Sequence, residues 1–129
     1  MVIKSFAKIN LFLSVNKKFK NGLHDIQSSF CLINLFDQIK IRKIKTKKDV
    51  IKFSGNFAKY VTKHNSIFKT LKILRQKKII SNYYSISVNK KIPVFAGLGG
   101  GTSNAFFLVK HFIKNKIDKK LLVTLEKKI

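Results

Sequence analysis

The sequence predicts a single α+β domain, and three observations carry that reading. Period-two alternation of apolar and polar residues recurs along the first part of the chain. A helical pattern interrupts it after Asn65, and a cluster of glycines around Gly99 opens a second helical pattern. A length of 129 residues suits one domain with one core. A hydrophobic content of 45% is too high for a disordered tail, even at a formal net charge of +23. No apolar run reaches the roughly 18 residues of a membrane span. The first dozen residues, MVIKSFAKINLF, alternate instead of forming a signal peptide, so the expected compartment is the cytoplasm and no membrane partner is expected.

The elements follow in order. Residues 2–13 read as a half-buried strand, with Ile9, Leu11 and Leu13 on one face and Lys8, Asn10 and Phe12 on the other. NKKFKNG ends in Asn21-Gly22, a hairpin dipeptide, and HDIQSSFCLINLF resumes as the paired strand. QIKIRKIK and DVIKFSG read as further strands with a basic exposed face. From Asn65 the apolar residues Ile67, Phe68, Leu71 and Leu74 take helical spacing, with Asn65 or Ser66 placed as the cap of a helix that runs to Lys77. YYSISVNK alternates again and gives one more strand. The lone cysteine, Cys31, lies in the apolar stretch FCLINLF and reads as a buried core thiol; alone it supports neither a disulfide framework nor a cysteine metal site, and no metal ligand set is expected.

The charge is less informative than its size. Of 28 basic residues only Arg42 and Arg75 are arginine, and Lys, Ile, Phe and Asn together make up 65 of the 129 positions. These four residues have A/T-rich codons, so the lysine excess reads as compositional drift at exposed positions. Base-reading proteins rely on the bidentate arginine fork, which is nearly absent, so nucleic acid is expected as a nonspecific partner only.

The most informative stretch is IPVFAGLGGGTSNAFFLVKHFI. Four of the six glycines (Gly97, Gly99, Gly100, Gly101) fall within five residues, and Ala105, Leu108, Val109 and Phe112 repeat at helical spacing behind them. Glycines there let the backbone take positive φ and approach a ligand closely, while first-turn N–H groups and the helix dipole favour an anion. Thr102, Ser103 and Asn104 add groups that can cap the helix or touch phosphate oxygens and a hydrated Mg²⁺. A phosphate site follows. It is not a P-loop, because no Gly-Lys-Ser/Thr is present, and its G-x-G-G-G spacing is not the dinucleotide-binding fingerprint. The bland alternative is a flexible turn with a Ser/Thr cap.

The run from Pro93 to Ala105, including Gly97-Leu98-Gly99-Gly100-Gly101-Thr102-Ser103-Asn104, resembles the signature loop of the GHMP kinases. Ala7-Lys8-Ile9-Asn10-Leu11, then Asn21-Gly22-Leu23-His24, then Asn65-Ser66-Ile67 are similar to the branch of that family acting on a cytidine-diphosphate-linked methylerythritol. The resemblance implies a ribosomal S5 domain 2-like N-terminal domain over 1–129, truncated and without the family's C-terminal domain. It implies ATP and Mg²⁺ as cofactors and transfer of a phosphoryl group to the 2-hydroxyl of that substrate, in non-mevalonate isoprenoid precursor synthesis. By the same resemblance Lys8 lies beside the acceptor hydroxyl, Asn10 contacts the substrate, His24 reads the cytosine, and Pro93 and residues 97–104 hold ATP. Leu23 stands where the family carries Tyr, and the family's Gly-Ala-Asp-Val-Pro segment does not occur before LLVTLEKKI. Neither Asp118 nor Glu126 has its context. The isolated chain is therefore expected to be inactive or weakly active, with a separately encoded C-terminal half as the partner it would need.

On the residues alone, Lys8 and Asn10 read as an exposed strand lysine and a polar neighbour, and His24 as a turn histidine. Two other functional classes stay open at this point: a basic RNA-binding domain of S5-like fold, and a remnant without function.

Overall fold

The structure, a computed structural model, describes residues 1–113. The N-terminal alternation builds β1 (Val2–Lys18), which turns at Gly22 and pairs antiparallel with β2 (His24–Ile44). β3 (Val50–Ser54) leads through one 3-10 turn (Ala58–Tyr60) into α1 (Ser66–Gln76), and β4 (Tyr83–Asn89) and α2 (Gly100–Ile113) follow. The sheet order is β1-β2-β4-β3, with β4 antiparallel to β2 and parallel to β3. Parallel neighbours need a crossover, and α1 provides it.

One face of the sheet is covered by both helices. Asn65 starts α1 because its side-chain oxygen accepts from the Phe68 N–H at 3.1 Å. The helix then buries Ile67, Leu71, Ile73 and Leu74 against Ile39 and Ile41 of β2, Ile86 and Val88 of β4, and Leu108 and Val109 of α2. Burial of each such side chain contributes about 1.5–3 kcal/mol, so this cluster holds the domain together. At the far end Arg75 clamps Asp49 through two hydrogen bonds of 2.9 and 3.1 Å, and Asp49 also accepts from the Tyr84 N–H. The opposite face of the sheet exposes Lys40, Arg42, Lys52 and Ser87, as the basic alternation predicts. Among the described residues no helix is long and apolar enough to cross a membrane.

Four expectations need correction. HDIQSSFCLINLF and QIKIRKIK are not two strands; β2 is one strand of 21 residues. Its largest irregularity lies opposite Ala7, where the register slips between Phe6/Phe36 and Lys8/Leu32, and smaller slips follow at Asn10/Phe12 and Val15/Lys17. Residues 9–13 are strand but not half-buried, because the outer half of the β1–β2 ribbon extends past both helices: Ile9, Leu11 and Leu13 are 40, 68 and 52% exposed. Cys31 lies on the same outer half and is only partly buried. Finally, the glycines do not all precede the helix, since Gly100 and Gly101 form the first turn of α2. Asp118, Glu126 and LLVTLEKKI lie outside the described residues.

Candidate nucleotide site

The segment from Lys90 to Gly99 carries the chain from β4 to α2 and borders a cleft of about 330 Å³. The glycine loop forms one wall; Phe53, Tyr60, Thr62 and the start of α1 at Asn65 and Ser66 form the other. Two helix N-termini therefore converge on one cavity. The first intrahelical bond of α2 runs from the Ser103 N–H to the Gly99 carbonyl, at 2.7 Å. The N–H groups of Gly100, Gly101 and Thr102 precede it and have no partner within the helix, which suits them to an anion.

Two glycines are required by close approach. Gly99 has φ of +67°, and a Cβ there would stand 3.2 Å from Lys8 Cγ and 3.3 Å from Lys8 Cε. A Cβ on Gly100 would collide with Ile92 Cγ2 at 2.9 Å. The loop is thus pressed on one side against Lys8 and on the other against Ile92 of its own entry segment.

Hydrogen bonds stitch the loop to β1. The Lys8 N–H donates to the Leu98 carbonyl at 3.1 Å, and the Ser103 hydroxyl donates to the Phe6 carbonyl at 2.7 Å while accepting from the Ser5 hydroxyl at 3.1 Å. Ser103 is therefore engaged in holding α2 on β1, and of this Thr-Ser pair the exposed Thr102 is the one that lines the cleft.

Beneath the loop lies a buried polar network that sequence reasoning missed. Asp37 of β2 is fully buried and pairs with the ammonium of Lys90, itself only 3% exposed. The same carboxylate accepts from the N–H groups of Lys91 and Ile92, at 2.8 and 2.9 Å, and from the Asn104 amide at 3.0 Å. A buried carboxylate persists only when it is paired and hydrogen-bonded, and four donors meet that need. Asp37 thereby fixes both the start of the loop and the first turn of α2. The one signal in the sequence was an acid inside the apolar run NLFDQIKI.

The residues expected at the site separate into two groups. Pro93, Gly97 to Thr102 and Asn104 line the cleft, with Ser103 anchored behind it and the Lys8 side chain packed against Gly99. Lys8, Ile9 and Asn10 pair without interruption with Leu32, Cys31 and Phe30, so Lys8 and Asn10 share a face of the ribbon, with the Lys8 ammonium 5.4 Å from the Phe30 ring centre. His24 is elsewhere. It opens β2 opposite Lys18, eight residues from the Leu32 that pairs with Lys8, or about 26 Å along the ribbon.

No family model matches the chain. Its sequence is 48% identical over 118 residues, 91% of this chain, to a 4-diphosphocytidyl-2-C-methyl-D-erythritol kinase from Pelagibacter ubique. It is 40% identical over 116 residues to the protein of the same name from Ureaplasma parvum. The chain belongs to the GHMP kinases. Within them it matches the N-terminal portion of the 4-diphosphocytidyl-2-C-methyl-D-erythritol kinases, and it spans only 42 to 44% of the length of these two relatives. The GHMP kinase fold is seen independently in solved structures. A 4-(cytidine 5'-diphospho)-2C-methyl-D-erythritol kinase superposes with a TM-score of 0.65 at 24% identity, covering 97% of this chain and 46% of that one. The mevalonate kinase of Methanococcus jannaschii superposes at 0.56 with 20% identity, again covering 46% of the larger chain.

Proposed function

We propose that this chain is the nucleotide-binding half of a kinase that transfers the γ-phosphoryl group of ATP to the 2-hydroxyl of 4-diphosphocytidyl-2-C-methyl-D-erythritol, in non-mevalonate isoprenoid precursor synthesis in the cytoplasm. The carrying observation is the cleft at the first turn of α2, whose wall at Gly99 packs against the Lys8 side chain. In this reading the N–H groups of the glycine loop hold the triphosphate, and the Lys8 ammonium offsets charge on the phosphoryl group as it moves. Asn10, on the same face as Lys8, orients the acceptor hydroxyl, and His24 takes the cytosine end of an extended substrate. Transfer of this kind depends on positioning and electrostatics, which a loop tied to β1 at two points supplies. The domain type we assign is ribosomal S5 domain 2-like.

ATP fits the donors present; a separate protein-held metal site is not built from them. Among the described residues no acidic residue borders the cleft, and Asp37 is committed to its four donors. Mg²⁺ would therefore fit as a companion of the triphosphate oxygens, with neutral hydroxyls of the lining such as Thr102 and Ser66 as the protein groups available to it, in keeping with the habit of Mg²⁺ to sit between nucleotide phosphates and few protein ligands.

The outer ribbon supports a further part of the reading. Nine large apolar side chains between Ile9 and Leu32 are each at least 40% exposed, among them Leu11, Phe12, Phe30 and Leu32. Patches of this kind mark interaction surfaces, and the relatives carry more than as much chain again. A polypeptide equivalent to that remaining portion is the partner we assign to the ribbon. Mixing this chain with the separately expressed C-terminal portion of the Pelagibacter relative and assaying ATP-dependent phosphorylation tests the whole reading: activity only in the mixture supports it, and no activity together with no ATP binding overturns it.

A further inference from the structure

Phe95 stands out in the cleft because a bulky aromatic residue occupies a turn position at positive φ. Its backbone has φ of +65°, a conformation disfavoured for any residue with a Cβ and most of all for a bulky one. Its ring is 93% exposed, the highest value among the large apolar side chains described. The other non-glycine residue at positive φ, Lys78, is accounted for by helix termination: its N–H reaches the Arg75 carbonyl and the next N–H reaches Leu74, closing the end of α1. Phe95 instead lies in the turn Val94–Phe95 that follows Pro93, at a φ that such a turn ordinarily gives to glycine. A strained backbone and a solvated ring thus coincide at one residue, and that residue borders the same cleft as Gly97 to Thr102. Strain retained at a ligand site is the pattern expected where the side chain is held ready for a contact.

We infer that Phe95 is an aromatic lid that packs on the nucleoside moiety of the bound nucleotide, the glycine loop holding the phosphates. The inference rests on the nucleotide reading above and adds a residue to it. The polar end of the cleft, at the first turn of α2, recognises charge and gives no hold on a flat, largely apolar base or on a ribose. The phenyl ring supplies that surface, and because every base has a π-face it adds affinity without choosing among bases.

Titration of the full chain with ATP and with inorganic tripolyphosphate separates the two parts of the site. For Phe95→Gly we expect ATP affinity to fall about tenfold while tripolyphosphate affinity holds. The melting midpoint should stay level or rise by a few degrees, since glycine takes this φ freely. Phe95→Tyr should retain ATP affinity. Phe95→Asn, which tolerates left-handed backbone, should repeat the selective loss and guards against a folding artefact. An ATP affinity in Phe95→Gly within about twofold of the parent, or equal losses for both ligands, overturns the lid and leaves the nucleotide site standing. A parent chain that binds no ATP overturns the nucleotide reading itself, and the lid with it.

Discussion

The β1–β2 ribbon has two halves that belong to one antiparallel pair and have opposite surroundings. In the inner half, Ser5, Ala7, Asp37, Ile39 and Ile41 are buried under α1, α2 and the glycine loop. In the outer half, Leu11, Leu13, Val15, Ile26, Phe30 and Leu32 are all more than half exposed. Strand pairing alone therefore does not make a core here; the helices do. In the proposed function the same division separates roles, the stitched inner half carrying the loop and Lys8 and the bare outer half carrying His24 and the apolar surface assigned to a partner.

Substitutions should respond to that division. The largest effect belongs to Asp37→Ala, which strands the buried Lys90 ammonium and frees three further donors. We expect a loss of about 3–5 kcal/mol in urea denaturation, and a loss below about 1 kcal/mol would show that the network does not hold the loop. Ser103→Ala removes the ties from α2 to the Phe6 carbonyl and the Ser5 hydroxyl. It should cost about 1–3 kcal/mol by the same measurement, and equality with the parent would mean that water replaces the hydroxyl without penalty. The smallest effect falls on the outer half: Leu13→Ser should change stability by no more than about 0.5 kcal/mol in the isolated chain, whereas a core-sized loss would place this half under cover after all.

How much of this was legible in the sequence follows the same division. α1 could be read in full, because Asn65 caps it and Ile67, Leu71 and Leu74 line up on one face, and both signals are local. The glycine loop was legible as the entry to a helix for the same reason. The exposure of Ile9, Leu11 and Leu13 was not, since alternation reports the pleat of a strand and says nothing about which faces find a cover. The unity of β2 was hidden by Asp37. An acid in an apolar run reads as an interruption, and the four donors that satisfy it come from segments 53 to 67 residues away in sequence. Lys90 was hidden among 26 lysines, one of the few whose ammonium is taken out of water. That Gly100 and Gly101 are helical could not be read either, because the packing of Gly100 against Ile92 is tertiary and overrides the low helix propensity of glycine.

The most direct test of the nucleotide site is calorimetric titration of ATP into the full chain and into Gly101→Asp at about 0.15 M ionic strength. Gly101 is exposed and a Cβ there meets only Ser66 Oγ, at 3.6 Å, so the substitution leaves the packing intact. A carboxylate in the first turn favours the helix and repels a phosphate. The account predicts one ATP per chain, with affinity reduced at least about tenfold in Gly101→Asp and a melting midpoint that does not fall. Several ATP molecules bound per chain, with the same affinity in Gly101→Asp as in the parent, would assign the binding to surface lysines and contradict the account.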